Sequence, residues 1–258
     1  FDSIMASDDG LKPIVNDLLA VGLTLWVGDG WSGKSSIAYQ IIEAVSHGAE
    51  FAGQFPTTKA HTMIIQLDEP KANAKQKWRR MAYNPNRENF EIIWSFHPLM
   101  IPELEKWIVK NNTKVLVIDS LLKLVDGIQD ICSAEMGLFI YRLNKIASKY
   151  NVAIIMVHHL NRHVEKGVER TDITPDDIYG SRYIYNGSSD VWGLLKNQIE
   201  GSLDSKFTLK SLKSRSSTIA VNQTYIFKGC ETDWRFNYEK MGSGTTTLKE
   251  IKTIKERF

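Results

Sequence analysis

The chain has 258 residues, of which 43% are hydrophobic and 24% are charged, with 32 Lys and Arg against 30 Asp and Glu. These values are ordinary for a globular protein, and they exclude wholesale disorder, a collagen-like repeat and a coiled coil. The net charge of +2 also excludes a protein that holds nucleic acid by bulk positive charge alone, although it is compatible with a local basic groove.

The charge is unevenly distributed along the chain. Residues 1–70 contain three basic and nine acidic residues, whereas the remainder contains 29 basic and 21 acidic residues. Two windows, 71–80 and 206–215, contain several Lys and Arg but no acid. Such windows are typical of a solvated helix face and a solvated strand edge.

Cysteine content and hydropathy bear on the compartment. Two cysteines, Cys132 and Cys230, are too few for a disulfide scaffold, and no apolar run approaches the roughly 20 residues of a membrane span. We therefore expect a protein of a reducing compartment, the cytoplasm, without a membrane partner. The sequence begins at Phe1 rather than Met, so we also expect an additional domain before it.

Short apolar runs alternate with stretches of helical periodicity along the first 200 residues. Helices are predicted over 35–45, with a stop at Gly48, and over 133–150, because apolar residues recur there at helical spacing. This alternation predicts an α/β fold with a mostly parallel, twisted sheet flanked by helices. The apolar runs predicted as its buried strands are 23–27, 62–67, 91–94, 114–118, 152–157 and 191–195.

The last third of the chain changes character. Residues 207–212, 219–221, 224–227 and 234–238 are predicted as short strands joined by turns, forming an antiparallel C-terminal extension of the sheet. Residues 242–247 are predicted as a linker, and the segment after them as a basic, helix-prone tail. The predicted organisation is thus one domain over residues 1–241, followed by the linker and tail over 242–258.

Residues 28–35 match the phosphate-binding pattern G-x-x-x-x-G-K-[ST], between a predicted strand and a predicted helix. Glycines let the backbone wrap a phosphate, and the helix N-terminus favours the anion. Lys34 is expected to reach the β- and γ-phosphates, and the Ser35 hydroxyl to ligate Mg²⁺. The predicted nucleotide-binding residues are Gly28, Asp29, Gly30, Trp31, Ser32, Gly33, Lys34, Ser35 and Ser36.

Acidic residues end two other predicted strands. Asp119 follows the run 114–118 in the manner of a Walker B acid, and we predict it as the second protein ligand of Mg²⁺. Asp68 and Glu69 follow the run 62–67. A carboxylate there would serve as the general base for hydrolysis, or it would only occupy the turn before a helix.

Two histidines follow the run 152–157. His159 would be placed to sense the γ-phosphate, whereas His158 is interpreted as a hydrogen-bonded structural residue. Successive strand residues face opposite ways, so the pair is not expected to share a metal ion.

These motifs, in this order, resemble the RecA-like ATPases, and most closely the RepA-type and DnaB-type hexameric replicative helicases. The resemblance extends from Leu18 to about Tyr238. Beyond the P-loop and the Walker B segment, it rests on residues 67–70, 159–162, 180–182, 189–192 and 212–215.

The resemblance implies an ATPase that works with Mg²⁺ as a homo-oligomer, in this family a hexameric ring. His159 falls at the position of the sensor Gln or His, and Lys213 and Arg215 match the pair that these helicases insert into the neighbouring active site. The family has a catalytic Glu two residues before the Pro, where this chain has Asp68 followed by Glu69. Both are catalytic candidates, with a narrow preference for Glu69.

The resemblance also places the segment after 152–159 in a channel for single-stranded DNA. Arg162, Lys166 and Arg170 are the expected nucleic-acid contacts, although interleaved Glu residues make a solvated loop as compatible with the composition.

The favoured function is an ATP-hydrolysing, ring-forming motor of the replicative helicase type that translocates on single-stranded DNA, as part of a replication or mobile-element protein. The alternative is an ATP-dependent regulatory switch or loader without helicase activity, slightly favoured by the Asp68-Glu69 variation and by the modest basicity of the loop. A nucleotide kinase is disfavoured, because no Arg-rich acceptor lid is present in the sequence.

Overall fold

The computed structural model describes residues 13–124, 134–161, 170–180, 182–199, 202–216, 220–230 and 232–242. Three short 3₁₀ turns, Arg87–Asn89, Pro98–Met100 and Pro175–Asp177, connect its larger elements. In chain order these are β1 (Gly22–Gly28), α1 (Lys34–His47), β2 (His61–Gln66), α2 (Lys71–Arg80), β3 (Phe90–Ile93), α3 (Ile101–Asn111), β4 (Thr113–Asp119), α4 (Leu121–Leu124), α5 (Ala134–Tyr150), β5 (Ala153–His159), α6 (Arg182–Gly187), β6 (Asp190–Gln198), β7 (Asp204–Ser214), β8 (Thr224–Cys230) and β9 (Phe236–Gly242).

All these strands belong to one sheet, with the order β3-β2-β4-β5-β1-β6-β7-β8-β9. The strands from β3 to β6 in this order pair in parallel, and those from β6 to β9 pair antiparallel. This arrangement confirms the predicted α/β fold with an antiparallel extension. Parallel pairing brings the carboxyl ends of β1, β2, β4 and β5 to one edge of the sheet, where Gly28 pairs with His159 and Gln66 with Asp119.

Helices cover both faces of the sheet. On one face, the side chains of Leu23, Leu25 and Val27 in β1 lie in a buried cluster with apolar residues of α3 and α5. On the other face, Trp26 lies in a second buried cluster with α1 and the antiparallel strands. Both faces of the central strands are therefore buried, which is why these strands are continuously apolar in sequence.

The predicted helix end agrees well with the structure for α1. This helix ends at Gly48, whose φ of 73° caps it in the left-handed conformation. Two of the longer helices were not predicted. Helix α2 occupies the basic window 71–80 and buries only Ala74, so it has almost no apolar periodicity; helix α3 buries one face through Ile101, Leu104 and Ile108.

Two strand predictions in the last third differ from the structure. No strand occupies the described residues of the segment 219–221; Val221 and Asn222 form the turn between β7 and β8, with Asn222 at a φ of 69°. The last strand begins at Phe236 rather than at Trp234, because Trp234 has a φ of 58°, incompatible with extended backbone.

Several expected features fall outside the described residues. Residues 243–258, which include most of the predicted linker and the whole tail, lie there, as does the loop 162–169 with Arg162 and Lys166. Among the helices that the structure does describe, none is long and apolar enough to cross a membrane.

Candidate active site

The P-loop connects β1 to α1 at the carboxyl edge of the sheet. Gly33 has a φ of 87° immediately before α1, and a Cβ atom there would lie 2.6 Å from the ring of Phe236. Glycine is therefore required both for the backbone conformation and for the close packing beneath the loop. The loop directs the N-terminus of a 14-residue helix toward the space that an anion would enter.

The ammonium group of Lys34 lies inside this loop. Its Nζ donates to Gly28 O at 2.9 Å, to Asp29 O at 2.6 Å and to Ser32 Oγ at 3.3 Å. Burial lowers the pKa of Lys34 to about 8, against the opposing attraction of Asp119, Asp29 and Asp68. A positive charge surrounded by carboxylates and loop carbonyls is thus placed at the phosphate position predicted from the motif.

Asp119 is fully buried at the end of β4. Its Oδ2 accepts a hydrogen bond from Gln66 Nε2 at 3.1 Å and another from the Tyr39 hydroxyl at 3.4 Å, whereas Oδ1 has no hydrogen-bond partner. Burial raises the pKa of Asp119, and the Ser35 hydroxyl, Lys77 and Gln66 oppose that increase. A buried, unpartnered carboxylate oxygen near a P-loop hydroxyl fits Mg²⁺, which takes one or two protein oxygens together with phosphates and water.

Two residues that hold Asp119 were missed in the sequence. Gln66 donates from Nε2 to the Tyr39 hydroxyl as well as to Asp119, so the two side chains form one network behind the carboxylate. Burial raises the pKa of Tyr39 well above its ordinary value, which keeps the hydroxyl protonated as a donor. The only sequence signal is a polar residue, Gln66, at the end of an apolar strand.

The two candidate catalytic carboxylates have different surroundings. Asp68 Oδ1 accepts from Ser120 Oγ at 3.2 Å, beside the Walker B acid, and its charge influences both Lys34 and His159. Glu69 Oε1 is instead paired with Lys77 Nζ of α2 at 2.6 Å. The geometry favours Asp68 as the carboxylate that faces the phosphate site, which differs from the preference for Glu69 based on the sequence.

The two histidines at the end of β5 also differ. His159 is half-buried and pairs in register with Gly28; burial and the charge of Lys34 lower its pKa, while Asp68 opposes the shift. His158 is buried, donates from Nε2 to Tyr179 O at 2.7 Å, and has its pKa lowered to about 4 by burial. A neutral His159 therefore lies beside the P-loop, whereas His158 belongs to the interior.

Arg170 does not fit its expected role as a nucleic-acid contact. Its Nε donates to Asp29 Oδ2 at 3.2 Å, its Nη2 to Asn161 O at 3.0 Å, and its Nη1 pairs with Asp177. The side chain is only 6% exposed. The guanidinium is thus occupied by groups of its own chain, and it ties the P-loop to the segment that follows β5.

Lys213 and Arg215 lie at the other end of the sheet. Lys213 Nζ donates to the carbonyls of Tyr185, Asn186 and Ser188 at the end of α6, so its charge is held within its own chain. Arg215 is exposed.

The register places Arg215 far from its own P-loop. Ser214 pairs with Asp190, and Asp190 pairs with Thr24 near the start of β1. Four strand residues, roughly 13 Å, separate that position from Gly28. The P-loop of the same chain is therefore at the opposite edge of the sheet.

Comparisons with known proteins agree with this geometry. A family model described as "AAA domain" matches residues 1–164. A solved structure of a helicase ATPase domain superposes with a TM-score of 0.67 at 13% sequence identity, covering 93% of this chain and 95% of that one. A search of the curated proteins gave no match. At this identity the structural similarity establishes the fold, and it confirms the predicted resemblance to RecA-like ATPase domains at the level of architecture.

Proposed function

This chain belongs to the AAA domain family, and from that premise we propose that it is the motor of a ring-forming protein that hydrolyses ATP and translocates on single-stranded DNA. An ATPase domain with a helicase-type fold is the part that the family match and the architecture support directly. Ring formation, movement on DNA and a role in replication or in a mobile element are the finer parts of the proposal.

The chain's own residues account for the steps of hydrolysis. Lys34 and the P-loop amides would hold the phosphates, while Ser35 and Asp119 would hold Mg²⁺, which neutralises charge that develops on the phosphoryl oxygens. Asp68 would accept a proton from the attacking water, and the neutral imidazole of His159 would contact the γ-phosphate. Gln66 and Tyr39 would keep the Asp119 carboxylate in place.

The position of Arg215 carries the proposal of a ring. An exposed arginine at the sheet edge opposite its own P-loop can act on ATP only if a neighbouring copy presents its P-loop to it. Arginine fingers supplied in this way contribute about 10³–10⁵ in turnover. We assign the finger to Arg215 and a supporting role to Lys213, whose ammonium holds the end of α6.

Single-stranded DNA is proposed as the polymer in the channel. Arg162 and Lys166 remain the candidate contacts, and Arg170 is withdrawn because its guanidinium is paired with Asp29 and Asp177. The cytoplasm is the proposed location, where the free thiol of Cys230 would stay reduced.

Steady-state ATPase rates with and without single-stranded DNA test the proposal. We expect DNA to stimulate the unchanged protein, and we expect Arg215→Ala to lose at least about 10³-fold in turnover while still binding nucleotide. Lys34→Ala is the control that loses nucleotide binding itself. Failure of the assembled protein to bind single-stranded DNA at low salt would refute the motor.

The second candidate is an ATP-dependent switch or loader. The short Asp68 side chain at the position of the general base and the loss of Arg170 from the candidate DNA contacts favour it. A switch would hydrolyse ATP at a rate that DNA does not change, so the same experiment separates the two functions.

A further inference from the structure

Trp31, in the middle of the P-loop, is placed at a cost to the fold. Its side chain is 84% exposed, and its backbone has a φ of 64°. A bulky residue in the left-handed region costs of order 1–3 kcal/mol, and such strain persists at sites where it serves a function. Neither packing nor loop geometry explains a tryptophan here, since glycine would adopt the same backbone without strain.

A second tryptophan lies beside it. The ring of Trp234, in the turn between β8 and β9, has its centroid 6.5 Å from that of Trp31, with the two planes inclined at 48°. Trp234 is half-buried and also has a left-handed backbone, with a φ of 58°. Two strained tryptophans, far apart in sequence, therefore meet next to the phosphate loop.

The position of Trp234 relative to the P-loop is fixed by the residues that follow it. The side-chain amide of Gln40 in α1 donates to Phe236 O at 2.8 Å and accepts from Phe236 N at 2.9 Å. Arg235 forms two hydrogen bonds with the carboxylate of Glu43, also in α1, at 2.8 and 3.1 Å. The turn that bears Trp234 is thus attached to the helix that begins the phosphate site.

We propose that Trp31 and Trp234 bind the base of the nucleotide whose phosphates occupy the P-loop, with the base stacked against an indole face. The base is joined to the phosphates through one ribose, so it must lie within a nucleotide's length of residues 28–35. Aromatic side chains bind bases by stacking, and this interaction tolerates any base because each has a π-face. The proposal rests on the nucleotide site of the proposed function and extends it to the base.

Stacking has a consequence for specificity. Discrimination between bases requires hydrogen bonds to their edges, whereas an indole face offers none. We therefore expect adenine and guanine nucleotides to bind with affinities within about fivefold of each other, because each gains the same stacking contact.

Calorimetric titration of the full chain with ADP, GDP and inorganic pyrophosphate tests the proposal, since pyrophosphate occupies the phosphate site without a base. Trp31→Ala should weaken ADP and GDP binding by about 5- to 150-fold, the range of base–aromatic stacking, and change pyrophosphate binding less than about twofold. Trp31→Phe should retain most of the affinity. Trp107→Phe, on α3, is the matched control, and quenching of tryptophan fluorescence by ADP should decrease in Trp31→Phe but not in the control.

Two results would overturn the proposal. Equal loss of ADP and pyrophosphate binding in Trp31→Ala would make Trp31 a residue that shapes the loop, and unchanged ADP affinity with an altered oligomeric mass would make it a subunit contact. Absence of ADP and pyrophosphate binding in the unchanged chain would refute the base site and the nucleotide site together. DNA stimulation of the ATPase is measured independently, so a motor without a base-stacking site remains a distinguishable outcome.

Discussion

Adjacent residues at the end of β2 receive different chemistry from their neighbours. Asp68 contacts Ser120 next to the Walker B acid, whereas the carboxylate of Glu69 is neutralised by Lys77. A general base needs a free lone pair facing the reacting water, and an ion pair occupies that lone pair. The structure therefore favours the shorter side chain.

Substitution of each carboxylate in turn distinguishes them. Asp68→Asn should lower the turnover of ATP by at least about 10²-fold, the contribution expected of a general base, with little change in ADP affinity. Glu69→Gln should stay within a few-fold of the unchanged protein, because it breaks only the pair with Lys77. Single-turnover hydrolysis measures both, and the reverse order of effects would identify Glu69 as the base.

His158 makes stability depend on pH. Its folded pKa of about 4 lies below the ordinary value of 6.5, so the unfolded chain binds more protons between these two values. The stability contributed by the neutral ring is present above pH 6.5 and is lost as the pH falls toward 4. Between pH 8 and pH 5 this group should remove about 2 kcal/mol from the free energy of unfolding.

Urea unfolding at pH 8 and pH 5 checks this expectation. His158→Gln should lower stability at pH 8 but show a smaller loss on acidification than the unchanged chain. His47→Gln, at an exposed position, is the matched control and should keep the original pH dependence. An unchanged acid loss in His158→Gln would show that other groups control it.

At the scale of elements, Arg170 joins the P-loop to the carboxyl edge of β5. It bonds Asp29 in the P-loop, Asp177 in a 3₁₀ turn and the carbonyl of Asn161. Asn161 N in turn donates to Asp177 O at 2.7 Å, so the cluster is closed on itself. A buried guanidinium with all its nitrogens bonded is a fixed connection rather than a ligand contact.

Removal of this guanidinium should affect both stability and binding. Arg170→Met should lower the free energy of unfolding by about 3 kcal/mol, at the low end for a broken buried ion pair because Asp29 stays partly exposed. It should also weaken ADP binding, since the charge of Asp29 would then repel the phosphates. Urea unfolding and calorimetry measure the two effects. The exposed Arg79→Met is the control, and equal losses in both variants would contradict a specific role.

The whole molecule separates the two halves of the proposed catalytic site. The P-loop lies at the carboxyl edge of the parallel strands, and Arg215 lies near the amino end of β1. A head-to-tail contact between copies would join these edges, whereas one copy alone cannot do so. This separation follows from the antiparallel return of β7 along β6.

Mixing two inactive variants tests this division. Lys34→Ala lacks a working P-loop and Arg215→Ala lacks the finger, but their mixed oligomers contain interfaces with both groups intact. Random head-to-tail pairing of equal amounts should restore about a quarter of the original ATPase rate. The rate of each variant alone is the control. Mixed oligomers that form, as shown by co-purification, without any recovery would place the catalytic arginine elsewhere.

The sequence by itself determined the P-loop, the Walker B acid and the alternation of strands and helices. These features depend on residues near one another in the chain, whose spacing and periodicity can be read directly. The basic helix α2 was not evident, because it buries a single residue and so has no apolar face in the sequence.

Only the tertiary structure decided which groups meet at the site. The partners of Arg170 include Asp29, 141 residues away, and Asp119 is held by Tyr39, 80 residues away, as well as by Gln66. The meeting of Trp31 with Trp234 depends on how β9 packs against α1. Orientation and long-range pairing arise from the folding of the whole sheet, and neither leaves a local pattern in the sequence.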